Sequence, residues 1–429
     1  MKVNIITLGC NKNIVDSENV AGHLRKAGFD VFFDRQKTDC DVVVVNTCGF
    51  IGDAKEESVD VLLEQIEVKR RGRKMRKIIA VGCLIERYKE ELQQEMPEID
   101  AFYGEHQWDE LVASLVDQYS GYFTEQRLKS TPRHYAYLKI SEGCNRRCAY
   151  CAIPLIRGKH ISRPIDELVE EAKQLVEDGV KEIIVIAQDT TYYGLDIYGE
   201  RKLGTLLERL ATETNAEWIR LHYTYPTCFP KDAIEVMERY DNICNYIDIP
   251  LQHINTEILS SMQRGIDSEG TKQLISQFRQ QMPNVAIRTT LIVGYPGETE
   301  KEFEELKSFV RESRFDRMGV FAYSPEEGTE AYELGDPVDP EEKQRRIDEL
   351  MAIQEQISLQ KNEAKVGRTF KTLIDRREGD YWVGRTEYDS PEVDDEVLIS
   401  ANEPLKVGEF FPITIVEALE NDLVGILAE

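Results

Sequence analysis

The chain has 429 residues, 41% of them hydrophobic and 31% charged, which is enough for about three domains with buried cores. No segment approaches the ~18 consecutive apolar residues that a membrane-spanning helix requires, and the amino terminus lacks a signal-peptide layout. We therefore expect a cytoplasmic protein without membrane association. The formal net charge of −26 disfavours nucleic-acid binding and favours basic partners, although it also serves solubility alone.

Residues 1–115 predict a parallel α/β sheet, because short apolar runs of the buried-strand type alternate with helical patterns. The first helix is expected to begin with Asp16 as its N-cap and to end before Gly28. A second helix is predicted over residues 54–69. The predicted strands are residues 3–8, 41–45 and 77–81.

A cysteine follows each predicted strand of this domain within two or three residues: Cys10, Cys48 and Cys83. Because the carboxyl ends of parallel strands share one edge of the sheet, these cysteines are expected to converge into a site with three thiolate ligands. The alternative is three unrelated small core residues, since free cysteine is commonly buried. The cysteines without this placement, interpreted as packing residues, are Cys40, Cys228 and Cys244.

Two further stretches of the amino-terminal part are polar. Residues 69–77 form a basic run in an acidic chain, which can contact RNA but more often is a solvated loop, the interpretation that we favour. Residues 116–134 are predicted to be a linker.

Residues 135–365 predict a second series of strands and helices. Six strand–helix units favour a TIM-like barrel that is incomplete, since a full barrel has eight. The predicted strands are residues 136–140, 182–187, 218–222, 246–251, 286–293 and 319–323. The long helical pattern over residues 339–365 leads out of this barrel.

The loop after the first barrel strand carries Cys144, Cys148 and Cys151 in the spacing CxxxCxxC. Thiolate is the soft ligand that iron–sulfur clusters take, and three cysteines leave one iron of a 4Fe–4S cluster open to a substrate or cofactor. The alternative is zinc, which prefers four ligands in two pairs, and the chain has no second CxxC pair. The spacing therefore favours an iron–sulfur site where barrel chemistry is placed, at the carboxyl ends of the strands.

Residues 366–429 change to short alternating strands. Five strands in roughly sixty residues predict a small OB-like barrel. These strands are predicted at residues 369–374, 381–387, 396–399, 410–416 and 423–427. The segment has six Lys and Arg against fifteen Asp and Glu.

The chain resembles the methylthiotransferases of the radical S-adenosylmethionine (SAM) superfamily over nearly its full length. The motifs are Leu-Gly-Cys-Asn-Lys-Asn at 8–13 with Asp-Ser-Glu at 16–18, Asn-Thr-Cys at 46–48, Gly-Cys at 82–83, the cysteine loop at 144–151, Arg-Gly at 157–158 and Ser-Arg-Pro at 162–164. The resemblance implies a methylthiotransferase α/β domain at 1–115, a linker at 116–134, a radical SAM barrel at 135–365 and a TRAM domain at 366–429.

The family's chemistry implies two 4Fe–4S clusters and SAM as cofactors, with no side chain acting as general acid or base. Cys144, Cys148 and Cys151 would hold the cluster that reduces SAM and generates the 5′-deoxyadenosyl radical. Cys10, Cys48 and Cys83 would hold a cluster that delivers sulfur, and a second SAM would give the methyl group. A low-potential electron donor such as flavodoxin is implied. The candidate SAM contacts are Tyr150, Gln188, Asp189, Arg288, Gly294, Pro296 and Gly297.

Three further stretches resemble the members that methylthiolate the β-carbon of an aspartate in small-subunit ribosomal protein S-twelve. They are residues 187–194, 249–253 and 321–329. That carbon is unactivated, which favours radical chemistry. The alternatives are a tRNA adenosine methylthiotransferase of the same family and a non-catalytic iron–sulfur RNA-binding factor.

The acidity of the C-terminal segment bears on this choice, because a domain that grips tRNA is expected to present cations to phosphates. We expect it instead to bind the basic ribosomal protein or the ribosomal subunit, which makes tRNA an unlikely partner. The acidic residues expected to form the docking face are Asp389, Glu392, Asp394, Asp395 and Glu396.

Overall fold

The computed structural model describes residues 1–35, 40–72, 75–116 and 127–428, which form two compact units. The first unit comprises residues 1–131, 142–146 and 151–161, and the second comprises residues 132–141, 147–150 and 162–429. Each unit contains a parallel sheet, which confirms the α/β fold class. Among the described helices, none is long and apolar enough to cross a membrane.

The first unit has a five-stranded parallel sheet in the order β2-β1-β3-β4-β5. All six residues of the central strand, Val42–Thr47, are buried, and separate apolar clusters cover the two faces of the sheet. The sequence analysis missed the two edge strands, β2 and β5. The elements are β1 Lys2–Thr7, α1 Asn11–Lys26, β2 Asp30–Phe33, β3 Val42–Thr47, α2 Gly52–Arg70, β4 Lys77–Gly82, α3 Cys83–Glu95, β5 Ala101–Tyr103 and α4 Trp108–Leu115.

The predicted start of the first helix is wrong. Helix α1 begins at Asn11, with Cys10 in the N-cap position, and Asp16 is a buried residue within the helix. The turn from β1 into α1 is short because Gly9 takes a φ of 85°, and a Cβ there would lie 2.6 Å from Sγ of Cys48. The compact turn brings Cys10 directly to the edge of the sheet.

Two predicted features of this unit fall partly on residues outside the described ranges. The basic run includes residues 73 and 74, which lie outside them, whereas Lys69 forms an ion pair with Asp100 at 2.6 Å and Arg70 contacts Glu67 and Glu98. Those carboxylates balance the charge of the run's first part. The predicted linker falls largely on residues 117–126, which are also outside the described ranges.

The second unit contains six parallel strands in the order β13-β12-β11-β10-β9-β6, which confirms an incomplete barrel. Its largest apolar core lies between the outer face of these strands and the surrounding helices. The elements from residue 135 to 363 are β6 Tyr135–Lys139, β7 Ser141–Glu142, α5 Ile153–Ile156, β8 Ile161–Ser162, α6 Ile165–Glu177, β9 Glu182–Ile186, η1 Thr190–Tyr192, α7 Leu203–Glu213, β10 Trp218–Leu221, α8 Lys231–Arg239, β11 Ile243–Asp248, α9 Thr256–Ser261, α10 Ser268–Gln281, β12 Ala286–Val293, α11 Glu300–Ser313, β13 Arg317–Ala322, η2 Glu330–Leu334 and α12 Pro340–Glu363.

The C-terminal strands form a closed barrel in the order β14-β15-β16-β18-β17, as predicted. Leu373 of this small barrel packs with Trp218, Tyr246 and Ala286 of the six-stranded sheet, so the two parts of the second unit share an apolar contact. The strands are β14 Thr369–Glu378, β15 Tyr381–Arg385, β16 Val397–Ser400, β17 Phe410–Ala418 and β18 Leu423–Leu427.

The predicted acidic docking face on the C-terminal barrel is wrong. The side chains of Asp389 and Asp395 are buried against Arg317, and the fully buried side chain of Asp394 pairs with Arg288 at 3.2 Å. A buried guanidinium needs an opposite charge, because an uncompensated one is strongly destabilising. These carboxylates therefore fasten the small barrel to the strands of the larger one and are not available to a partner.

The two remaining members of that group differ in their surroundings. Glu396 is partly buried and pairs with Arg376 at 2.6 Å. Glu392 is exposed and accepts a hydrogen bond from the hydroxyl of Tyr135 at 3.0 Å. All five acidic residues of the predicted docking face thus contact other residues of the second unit.

Candidate functional site

The structure brings the three cysteines of the first unit together at the carboxyl edge of its sheet. Asn13 organises this edge: its side-chain nitrogen donates to the carbonyl oxygens of Leu8 at 2.8 Å and Thr47 at 3.2 Å. These bonds fix the amide, and its Oδ1 lies 3.8 Å from Sγ of Cys10 and 3.9 Å from Sγ of Cys83. Together with the approach of Gly9 to Cys48, this geometry places all three thiols around one point.

A buried arginine lies behind this point. The Arg157 side chain is 1% exposed, and its Nη2 donates to Oδ1 of Asn13 at 2.6 Å. Its Nη1 lies 3.2 Å from Asp16, 2.9 Å from Glu105 and 2.9 Å from Glu142. Three carboxylates therefore surround one guanidinium. The sequence analysis missed this cluster, because its members are far apart in the chain. Only two of them, Asp16 and Arg157, lie in the motifs at 16–18 and 157–158.

Burial keeps the thiols of Cys48 and Cys83 protonated in the absence of metal. Burial raises the pKa of Cys48 to about 11, helped by the charge of Cys10 and opposed by that of Arg157. Burial also raises the pKa of Cys83 well above its ordinary value, and its thiol lies 3.7 Å from Oε2 of Glu105. A bound metal supplies the positive charge that removes such protons. Three neighbouring thiols fit a 4Fe–4S cluster in which one iron has no ligand from this group.

Cys148 of the loop between β7 and α5 lies beside a second buried arginine, within the second unit. Arg264 is 3% exposed and its Nη1 donates to Sγ of Cys148 at 3.4 Å and to the hydroxyl of Tyr150 at 3.2 Å. Its guanidinium lies 4.2 Å from the ring centre of Tyr225, whose hydroxyl is 3.4 Å from the same sulfur. The sequence analysis missed Arg264, because no motif marks it.

Cys144 and Cys151 belong to the first unit. The backbone nitrogen of Cys144 donates to the carbonyl oxygen of Gly158 at 3.1 Å, and its Sγ accepts from the backbone nitrogen of Arg146 at 3.4 Å. These bonds hold the start of the loop. The donor set of the three loop cysteines fits an iron–sulfur cluster, since soft thiolates in a short loop are its usual ligands.

Most predicted SAM contacts follow strands of the incomplete barrel. Gln188 and Asp189 follow β9, where Asp189 is buried and its Oδ1 caps the turn η1 by accepting from the nitrogen and hydroxyl of Thr191. The turn at 294–297 follows β12, and Pro296 within it is buried.

Buried side chains support the backbone of the turn at 294–297. Gly294 has a φ of 72°, and its nitrogen donates to the carboxylate of Glu298, which is fully buried. The same carboxylate lies 3.8 Å from His253 and 3.4 Å from Arg346 of helix α12. A turn with exposed Gly297 and a fixed backbone is suited to bind a ligand through its peptide groups.

Arg288 does not join the other candidates. Its guanidinium pairs with Asp248 on the adjacent strand and with Asp394 of the C-terminal barrel, each at 3.2 Å. It lies in the first half of β12, whereas the turn at Gly294 follows the strand's end. We therefore remove Arg288 from the candidate SAM contacts and assign it to the contact between the two barrels.

Comparison with known families divides the chain into three matching segments. Residues 2–104 match Uncharacterized protein family UPF0004, residues 138–310 match the Radical SAM superfamily, and residues 366–427 match the TRAM domain. The order of these matches agrees with the order of the α/β sheet, the incomplete barrel and the small closed barrel.

Full-length relatives decide the family. A ribosomal protein uS12 methylthiotransferase RimO of Phocaeicola vulgatus is 53% identical over 98% of this chain and 98% of its own. One of Flavobacterium psychrophilum is 54% identical over 99% and 97%. The chain belongs to the RimO family. This membership confirms the resemblance to methylthiotransferases that act on a ribosomal protein.

Solved structures support the RimO-family fold at a greater distance. The radical SAM methyltransferase TsrM from Kitasatospora setae, solved with cobalamin and a 4Fe–4S cluster bound, aligns with a TM-score of 0.57 at 15% identity, covering 76% of this chain and 73% of its own. The cobalamin-dependent SAM radical enzyme OxsB aligns with a TM-score of 0.52 at 12% identity, covering 83% and 56%. As a member of the RimO family and the radical SAM superfamily, the chain is a transferase that uses SAM and a 4Fe–4S cluster.

Proposed function

We propose that this chain methylthiolates the β-carbon of an aspartate in ribosomal protein uS12. The observation that carries the proposal is the convergence of Cys10, Cys48 and Cys83 around Asn13, in a chain that also has the CxxxCxxC loop. One site suffices for SAM cleavage. A second set of three thiols supplies what methylthio transfer needs in addition, a place to hold sulfur.

The two sets of cysteines take different roles. Cys144, Cys148 and Cys151 hold the cluster at which SAM is reduced, and Cys10, Cys48 and Cys83 hold a second 4Fe–4S cluster that carries sulfur. The cofactors supply the radical, the sulfur and the methyl group, so the protein's task is binding, orientation and electrostatics. The remaining candidate SAM contacts are Tyr150, Gln188, Asp189, Gly294, Pro296 and Gly297.

The side chains around the loop fit this division of work. Arg264 holds Tyr150 and donates to the sulfur of Cys148, so one buried group fixes both the loop and a candidate SAM contact. Helix α12 supports the turn after β12 through Arg346. No acid or base is required of any of these residues, because the bond that is broken in the substrate is an unactivated C–H bond.

The remaining parts of the proposal concern partners. A low-potential donor such as flavodoxin is required, because the loop cluster has to lie near the reducing end of the range of iron–sulfur potentials, which reaches about −700 mV. A cytoplasmic enzyme acting on ribosomal protein uS12 or the small subunit agrees with the acidic chain, whose net charge of −26 disfavours tRNA.

The test is mass spectrometry of uS12 and of bulk tRNA from a strain that lacks the gene, with a complemented strain as control. We expect uS12 to lose the mass of one methylthio group, localised to an aspartate, and tRNA nucleosides to stay unchanged. Loss of a methylthioadenosine from tRNA, with uS12 unchanged, would assign the chain to the tRNA-modifying branch of the family.

A further inference from the structure

The end of the last barrel strand and the segment after it expose large apolar side chains. Phe321 is 51% exposed, Tyr332 is 41% exposed and Leu334 is 52% exposed. We call residues 321–339 the mouth segment, because it begins at the carboxyl end of β13. Soluble proteins usually expose such residues singly, so three of them within fourteen residues make this segment a candidate binding surface.

The mouth segment is also strongly acidic. It contains six Asp and Glu and no Lys or Arg, in a chain with 53 basic residues in all. The acidic residues are Glu326, Glu327, Glu330, Glu333, Asp336 and Asp339. Most of them are exposed, so the apolar side chains stand in a field that attracts a basic partner.

Hydrogen bonds fix the mouth segment to the cysteine loop within the second unit. The nitrogen of Ala331 donates to the carbonyl oxygen of Ala149 at 2.8 Å, and the hydroxyl of Tyr323 donates to the carbonyl oxygen of Ala331 at 2.9 Å. Lys343 of helix α12 holds the carbonyl oxygen of Tyr323 at 2.9 Å. Ala149 lies between Cys148 and Tyr150, so the hydrogen bond from Ala331 joins the mouth segment directly to the cysteine loop.

The direction of Phe321 follows from strand alternation. Met318 and Val320 pack into the core between the strands and their helices, so Arg317, Gly319 and Phe321 face the interior of the incomplete barrel. Arg317 is buried there against the C-terminal barrel, whereas Phe321 is half exposed at the other end of the strand. Phe321 therefore faces the barrel interior at the carboxyl end of the strands, where active sites of such barrels are placed.

We propose that the mouth segment is the docking surface for the basic segment of ribosomal protein uS12 that presents the target aspartate. The inference rests on the proposed function. Ribosomal proteins are typically basic because they contact RNA phosphates. The exposed carboxylates would speed encounter and set orientation, while Tyr332 and Leu334 would give the buried anchors that carry most of the affinity.

The test uses the full-length holoenzyme and three double variants. Glu330→Lys with Glu333→Lys reverses charge on the mouth segment, where exposed Glu330 accepts a hydrogen bond from the side chain of Gln263. Tyr332→Ala with Leu334→Ala removes the apolar anchors and leaves the charge unchanged. The matched control is Glu167→Lys with Glu170→Lys, which makes the same charge change on exposed positions of helix α6.

Binding of purified, fluorescently labelled uS12 is measured by anisotropy at several salt concentrations. Iron content and SAM cleavage without uS12 are measured on the same preparations. We expect each mouth variant to raise Kd about tenfold, with only the charge reversal flattening the salt dependence. The control should stay within about twofold of wild type, and all variants should keep wild-type iron content and SAM cleavage.

Wild-type affinity in both mouth variants would overturn the inference, as would an equal loss in the control. If the charge-reversal variant binds less iron than the wild type, the affinity of the Tyr332→Ala, Leu334→Ala variant for uS12 alone tests the inference. Tighter binding of tRNA than of uS12 by the wild-type enzyme would make RNA the occupant and also overturn it. Failure of the wild-type enzyme to modify uS12 would instead remove the proposed function, so the two failures are distinguishable.

Discussion

The two cysteine sites of this chain each have a buried arginine, but the arginines are placed differently. In the second unit, Arg264 donates directly to the sulfur of Cys148 and to a tyrosine hydroxyl. In the first unit, Arg157 donates to Asn13, whose side-chain oxygen lies beside two of the thiols, and three carboxylates surround the guanidinium. A cluster at the loop would thus have a cationic hydrogen-bond donor, whereas a cluster at the N-terminal site would lie in net negative surroundings.

This difference has an electrochemical consequence. Hydrogen bonds to cluster sulfurs and positive local charge raise a cluster's reduction potential, whereas negative charge and burial lower it. We therefore expect the loop cluster to accept an electron more readily than the N-terminal cluster. Such an order would direct the incoming electron to SAM and leave the N-terminal cluster free to carry sulfur.

The largest expected effect comes from removing either set of cysteines. The wild-type chain should bind about eight irons after anaerobic reconstitution, and a Cys10→Ala, Cys48→Ala, Cys83→Ala variant about four, by the cubane count. This variant should still cleave SAM reductively while making no methylthiolated product. The reciprocal variant at Cys144, Cys148 and Cys151 is the control and should lose both activities. Saturation of the wild-type chain at four irons would show that it binds one cluster and not two.

Arg157→Met tests whether the charge cluster supports the N-terminal site. It leaves Asp16, Glu105 and Glu142 without their shared cation, which should cost about 3–5 kcal/mol of stability. We expect a lower thermal midpoint for the apo-protein and selective loss of the N-terminal cluster's iron. Arg163→Met, which breaks a partly exposed pair with Glu171, is the matched control and should cost under about 1 kcal/mol. Retention of both clusters and of the midpoint would show that Arg157 is dispensable.

Arg264→Leu tests whether the cationic donor beside Cys148 raises the reduction potential of the loop cluster. Loss of the donor to Cys148 should lower the loop cluster's reduction potential by about 60 mV, the one-electron equivalent of a tenfold factor. A redox titration followed by electron paramagnetic resonance measures the shift, with the N-terminal cluster as internal reference. Arg264→Lys should recover part of it, because charge is kept and geometry is changed. An unchanged potential in both variants would show that the arginine acts only on loop structure.

The smallest effect concerns the N-terminal thiols of the apo-protein. Since burial raises the pKa of Cys48 to about 11, only about a thousandth of it is thiolate at pH 8. Labelling by iodoacetamide should be slow there and should rise with pH through about 11, while exposed Cys228 serves as the internal control. Stability should fall as pH rises from the ordinary thiol pKa towards 11, because the unfolded state ionises first. Equal labelling rates for Cys48 and Cys228 at pH 8 would contradict a buried thiol.

The sequence by itself determined the framework of this protein. Strand runs such as 42–47 are apolar throughout, and the position of a cysteine after each strand is a local property that needs no knowledge of packing. The parallel sheet then requires those positions to meet at one edge. The CxxxCxxC spacing is equally local, so both sets of cysteines, the incomplete barrel and the closed C-terminal barrel were predicted from residue patterns.

Only the tertiary structure decided which charges meet. Asp16 satisfies the sequence pattern of a helix cap, yet it is a buried partner of Arg157, which lies 141 residues away in the chain. Asp394 and Asp395 satisfy the pattern of an acidic surface, yet they pair with arginines of the larger barrel. The pairing of a charged side chain depends on strand register and on which faces pack together, and both are set by contacts far apart in sequence. The sequence therefore gives the sign of each charge, whereas only the folded structure shows which charged side chains form pairs.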